Sequence, residues 1–132
     1  MRMLKNDDYA EILVGWWSQW GWQAPPQDFL PHNGEGGIMV LDGNIPICAG
    51  FVYLTNSKVA WVDWIISNKK YTNRIKRKEA LLALINNLTA MAKDLGATYC
   101  YALIKNESLI NVYKNCGYTN GDTYTSEMIK HL

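Results

Sequence analysis

Six cations crowd a short stretch: Lys69, Lys70, Arg74, Lys76, Arg77 and Lys78, with no acid between Asp63 and Glu79. They lead into a segment with helical periodicity. The N-terminus of a helix is already positive, so cations gathered there cost stability unless an anion joins them. Lysine and arginine side chains suit phosphate oxygens, although a solvated basic loop would have the same composition. Asp63 is the one acid in its strand-like run, between Trp61 and Trp64-Ile65. Partial burial would lift its pKa toward the range of a general base. A strand-face carboxylate paired with lysine or water is the competing reading. Trp16, Trp17, Trp20 and Trp22 form an aromatic cluster. Period assigns Trp16 and Trp20 to a core and leaves Trp17 and Trp22 to offer ring faces to an apolar or cationic ligand. His32 has only Asp28 and Glu35 nearby in sequence, too few ligands at too poor a spacing for a metal. Cys116 lacks a histidine partner that would make it a nucleophile. No metal is expected.

These residues need elements to hold them. Asp8 and Glu11 have capping-box spacing, and Tyr9, Ile12, Leu13, Trp16, Trp17 and Trp20 recur with helical period up to Gly21, which predicts a helix over about Asp8 to Trp20. Trp22 to Gly37 reads as a long loop with one helical turn near Gln27 to Leu30. Ile38 to Asp42, Ile45 to Leu54 and Val59 to Ser67 read as an antiparallel meander, its first turn at Gly43-Asn44. Strict alternation over the last strand would place Ala60, Val62, Trp64 and Ile66 on one face, and Trp61, Asp63, Ile65 and Ser67 on the other. Asp63 would join Trp64 only through a bulge. Asn68 to Arg77 reads as a polar loop. Ala80, Leu81, Leu84, Ile85, Leu88, Met91, Ala92 and Leu95 then mark the apolar stripe of a helix. Thr98 to Ile104 is a strand, and the crossover length implies parallel pairing with Val59 to Ser67. Asn106 caps a last helix that ends at Gly117. Tyr118 to Lys130 reads as a hairpin turning at Gly121-Asp122.

The run Asn106-Glu107-Ser108-Leu109-Ile110-Asn111-Val112-Tyr113-Lys114-Asn115-Cys116-Gly117-Tyr118 sets Asn, Tyr and Gly-Tyr at fixed offsets, and Glu79-Ala80-Leu81-Leu82-Ala83-Leu84-Ile85 precedes it. With the element order, these residues resemble the GNAT superfamily of N-acetyltransferases. The resemblance spans nearly the whole chain. It implies an α/β fold: a mostly antiparallel mixed sheet with one splayed parallel strand pair and helices on both faces, forming a single domain over residues 1–132. It implies acetyl-CoA as co-substrate and an amine of a small molecule or protein as acceptor. The pantetheine arm would pair with the strand end at Ile65, Ile66, Ser67 and Asn68, an N–H near Ile66 would face the oxyanion, and Asn106 would bond the same arm or serve only as a cap. Tyr113 would act as general acid toward the leaving thiolate, or else pack as a core tyrosine. Trp17, Trp22 and Trp64 would wall the acceptor site. The family's phosphate loop, Q/R-x-x-G-x-G/A, is replaced here by Asn73-Arg74-Ile75-Lys76-Arg77-Lys78. Lysine at both glycine positions discourages close backbone approach, so Arg74, Lys76, Arg77 and Lys78 would hold the phosphates by their side chains. Where some relatives carry a glutamate base, this chain has Tyr101.

A chain of 132 residues with 48% hydrophobic residues can bury one substantial core. A net charge of +1 excludes a dedicated polyanion binder on bulk charge. Its basic segment with Tyr71 could still meet nucleic acid if catalysis had lapsed, and exposed tryptophans could form a protein interface such as a homodimer. Three dispersed cysteines, a polar start and the lack of a long apolar run suggest a cytoplasmic protein.

Overall fold

The computed structural model describes residues 1–132. Its sheet grows from short turns. Gly43, at φ 58°, permits the tight turn between β2 (Gly37–Asp42) and β3 (Ile45–Leu54). A second turn, held by Thr55 Oγ1 to the Val59 carbonyl at 2.7 Å, leads into β4 (Val59–Ser67). β1 (Arg2–Met3) pairs antiparallel with β2. The crossover from β4 passes through α2 (Arg74–Asp94) and returns as β5 (Tyr99–Tyr101), parallel to β4. The strand order is β1-β2-β3-β4-β5.

The two faces bury separate cores. On one, Leu84, Ile85 and Leu88 of α2, with Val112 and Tyr113 of α3 (Glu107–Asn115), cover Cys48, Val52, Ala60 and Val62. On the other, Leu13, Trp16 and Trp17 cover Met39, Ala49, Phe51 and Ile66. Each fully buried Leu, Ile or Phe side chain stabilises by about 1.5–3 kcal/mol. Both helices beside the parallel pair have asparagine caps: Asn73 Oδ1 accepts from the Lys76 N–H at 3.1 Å, and Asn106 Oδ1 from the Leu109 N–H at 3.0 Å.

Several expectations change. The Asp8–Glu11 capping box does not form. Asp8 instead accepts from Arg2 Nη1 and Nη2 at 2.7 and 3.0 Å and from the Lys5 N–H at 2.7 Å. These charge-assisted bonds are stronger than a neutral cap bond, and the first helix opens as a π-helical turn, Tyr9–Leu13, before α1 (Val14–Gln19). The expected polar loop through Arg77 is shorter, because Asn73 starts α2 at Arg74. β5 keeps only Tyr99–Tyr101 of the expected Thr98 to Ile104. The hairpin expected over Tyr118 to Lys130 is not formed. Tyr124, Met128, Ile129 and Leu132 stay exposed; lacking a period-two stripe, they offer the sheet no apolar face to bury.

β4 departs most informatively. Its register against β3 shifts between Ala49 and Phe51, so Trp64 and Ile65 together oppose Gly50. Trp64 sits at φ 55°, an uncommon conformation for a bulky residue, and absorbs the bulge. Alternation reverses there. Ile65 joins Ala60 and Val62 on the α2 side, while Trp64 joins Asp63 and Ile66 on the α1 side.

Candidate active site

β4 and β5 pair only from Val59↔Tyr99 to Trp61↔Tyr101. β4 then continues to Ser67 without a β5 partner, so the parallel strands part. Asn68 N–H donates to the Ile47 carbonyl at 2.7 Å. By strand alternation Ile66 therefore turns its backbone to β3, and Ile65 and Ser67 turn theirs toward the opening. Within the expected stretch, the Ile66 N–H thus belongs to the β3 ladder, and the Ile65 N–H is the one near Ile66 that faces the gap. The Ser67 carbonyl accepts from Trp20 Nε1 at 2.9 Å, which brings the end of α1 to the mouth of the opening. Asn68 is tied down, its side chain donating to the Pro46 carbonyl at 3.0 Å and accepting from the Lys70 N–H at 3.1 Å.

Asp63 and Tyr113 both bond to chain at the point where the strands part. Asp63 Oδ1 accepts from the Trp64 N–H at 2.9 Å and Oδ2 from the Leu103 N–H at 3.1 Å. Its carboxylate thus spans from the bulge to the chain beyond β5. Burial raises its pKa above the ordinary carboxylate range, the two N–H donors lower it, and the charge of Glu127 adds a further rise. Tyr113 is 2% exposed. Its hydroxyl donates to the Val62 carbonyl at 2.6 Å, and burial first, then the Asp63 charge, pushes its pKa well above the phenolic range. Tyr118 packs edge-on against it at 5.0 Å. Tyr101, where a glutamate was sought, packs against Trp61 at 4.5 Å, and the neighbouring Tyr124 hydroxyl raises its pKa.

The basic cluster divides by role. Arg77 turns inward and donates to the carbonyls of Tyr71 and, at 3.3 Å, Asn68, holding the β4–α2 loop. It is a structural residue, not the free phosphate ligand expected. Lys76 Nζ lies 3.6 Å from Asp42, whose carboxylate also accepts from Tyr71 at 2.9 Å. Tyr71 is 9% exposed, which withdraws it as a stacking platform for nucleic acid. Lys70, Arg74 and Lys78 are exposed and make no ion pair. Lys69 Nζ lies 5.2 Å from the Trp20 ring.

The tryptophans also sort differently. Trp17, expected at the acceptor wall, is 2% exposed and packs on Tyr9 and Trp64. Trp64 lies edge-on to Phe29 at 5.5 Å. Trp22 stays 54% exposed and stacks on Trp20 at 5.9 Å. Trp20, assigned to the core by period, is the residue that sequence reasoning missed. The helix ends at Gln19, so its period no longer dictates where Trp20 points. His32 is exposed in a turn. Two surface depressions lie away from the gap. One of 380 Å³ sits between Leu54–Val59 and Leu95–Ala97. Another of 620 Å³ is lined by residues including Cys100, Cys116 and Tyr118. The parted strands, not these hollows, carry the unpaired backbone and the perturbed acid, so the gap is the better candidate for chemistry.

No family model matches the chain, and no curated protein matches it. Solved structures do. A mutant of TTHA1254 from Thermus thermophilus superposes with a TM-score of 0.70 at 14% identity, covering 98% of this chain and 96% of that one. Glucosamine-6-phosphate N-acetyltransferase from Arabidopsis thaliana gives 0.64 at 10% identity, covering 98% and 97%. An aminoglycoside N-acetyltransferase solved in complex with CoA gives 0.61 at 12% identity, covering 98% of each chain. With its mixed five-stranded sheet, parted parallel pair and bulged β4, the chain has the GNAT acetyltransferase fold.

Proposed function

We propose that this protein is an N-acetyltransferase that takes its acetyl group from acetyl-CoA and passes it to an amine. The observation that carries the reading is the β4 edge after the bulge, which has no strand partner where β4 and β5 part. A pantetheine arm is a chain of amides, and the outward Ile65 backbone and the Ser67 N–H would pair with it as a strand would, the Ser67 carbonyl being held by Trp20. The fit is weaker at the phosphates. Lys76 and Lys78 replace glycines, and the Asn73 side chain already takes the Lys76 N–H. Arg74 and Lys78 supply the charge instead.

The chemistry asks three things of the chain. An N–H must face the oxygen that becomes negative when the amine nitrogen attacks the thioester carbon, and Ile65 offers one. A proton must leave the amine, and Asp63 carries the raised pKa suited to accepting it. A proton must reach the sulfur as the C–S bond breaks, and we assign it to the Tyr113 hydroxyl, which bonds to the Val62 carbonyl just past the last β4–β5 pair. For that step it must release Val62.

Calorimetric titration with acetyl-CoA tests the reading. Saturable binding is expected, and ligand at a hundred times Kd should stabilise the fold by about 2.7 kcal/mol. Arg74→Ala with Lys78→Ala should weaken binding while leaving unliganded stability unchanged. Absence of binding at millimolar ligand overturns the proposal. The engaged, buried Tyr113 hydroxyl favours a second reading, a lapsed enzyme that binds the same ligand without turnover. Acetyl transfer to a panel of amines separates the two.

A further inference from the structure

The Trp20–Trp22 stack is not explained by packing alone. Trp22 is 54% exposed, although its ring lies 5.9 Å from Trp20 at an interplanar angle of 21°. Burial would have favoured covering so large a ring. Trp20 is anchored to the end of β4 through the Ser67 carbonyl at 2.9 Å. Lys69 is fixed beside it, 5.2 Å from the ring and 3.4 Å from the Gln19 carbonyl. An exposed ring on an anchored partner, beside the Lys69 ammonium group and with the exposed Lys70 next in the chain, combines a π platform with positive charge. Base stacking on an aromatic side chain and phosphate on lysine is the arrangement that holds nucleotides. A cationic amine would be repelled by Lys69 and Lys70, which argues against the acceptor at this position.

We infer that Trp22 is the stacking platform for an adenine nucleotide, with Lys69 and Lys70 meeting its phosphates. Building on the coenzyme A reading, the occupant is the nucleotide end of that co-substrate. The platform would supply through stacking and side-chain charge what a glycine-rich loop supplies through backbone. Free adenine nucleotides share this chemistry.

The test is calorimetric titration of the full chain with adenosine 3′,5′-bisphosphate, ATP, CoA and acetyl-pantetheine. Adenosine 3′,5′-bisphosphate should bind, and Trp22→Ala should weaken it about tenfold while Trp22→Phe retains it. Acetyl-pantetheine, which has no nucleotide, should be indifferent to Trp22→Ala. Tighter binding of adenosine 3′,5′-bisphosphate than of ATP identifies the coenzyme as the source; the reverse identifies a free nucleotide. Equal binding to wild type and Trp22→Ala, or no nucleotide binding, overturns the inference. The two proposals fail separately. CoA binding insensitive to Trp22 sinks the platform and leaves the transferase. Trp22-dependent nucleotide binding without acetyl transfer sinks the transferase and leaves the platform.

Discussion

Tyr113 and Asp63 feel each other's charge and do different work. Removing the Tyr113 hydroxyl leaves the Val62 carbonyl without its buried donor, so Tyr113→Phe should cost about 1–3 kcal/mol of stability. If the hydroxyl also protonates the departing thiolate, turnover should fall about a hundredfold or more with acetyl-CoA affinity held. Urea unfolding and steady-state kinetics measure the two effects, and an equal loss of turnover and affinity would remove the acid role. Asp63 sets a pH signature. Its folded pKa is raised by burial, so just above the ordinary carboxylate range the native state binds more protons than the unfolded chain. Stability must then fall as pH rises toward the folded pKa. Asp63→Asn should flatten that slope, and should also cost stability, because an amide cannot accept from both the Trp64 and Leu103 N–H groups through two carboxylate oxygens. Unfolding midpoints across acid pH would show this, and a wild-type slope retained in Asp63→Asn would reject it.

The element that shapes the site is the bulge in β4. Gly50 lies opposite it, and a Cβ there would meet Ile65 Cδ1 and, at 2.8 Å, Leu88 Cδ1. α2 thus packs onto the sheet where β4 changes face. Gly50→Ala should destabilise by about 1–3 kcal/mol through overpacking and weaken acetyl-CoA binding, since the Ile65 edge would shift. Thermal unfolding with and without ligand would report both; unchanged values would mean the bulge tolerates the extra methyl group. Strand boundaries at this scale were legible in the sequence, with β3 and β4 as expected, because a period of two and turn residues are local signals. The bulge was legible only as a condition. It requires β3 to present one residue against two, which no window within β4 records.

Across the whole molecule, residues 119–132 add no strand to the sheet, yet they approach it. Tyr124 reaches Tyr101, and the charge of Glu127 raises the Asp63 pKa. Removing residues 121–132 should change stability by less than about 1 kcal/mol, as for other exposed segments. It should also lower the Asp63 pKa, measured by carboxyl NMR titration; a large loss of stability would show that the tail is part of the fold.

By itself the sequence determined the order of elements as far as α3, the cap at Asn106 and the parallel pairing of β4 with β5, since periodicity, capping chemistry and crossover length act over short spans of chain. It also marked Asp63, Tyr113 and the basic segment as residues able to do chemistry. Only the tertiary structure decided which of them are available. It buried Trp17 and exposed Trp22, turned Arg77 inward to the loop carbonyls, set Lys76 beside Asp42 and brought Trp20 to the end of β4. Arg77 finds its partners 6 and 9 residues away, but Trp20 finds its own 47 residues away and Lys76 on another strand, and side-chain availability is settled by competition among such partners for the same buried space and the same hydrogen bonds.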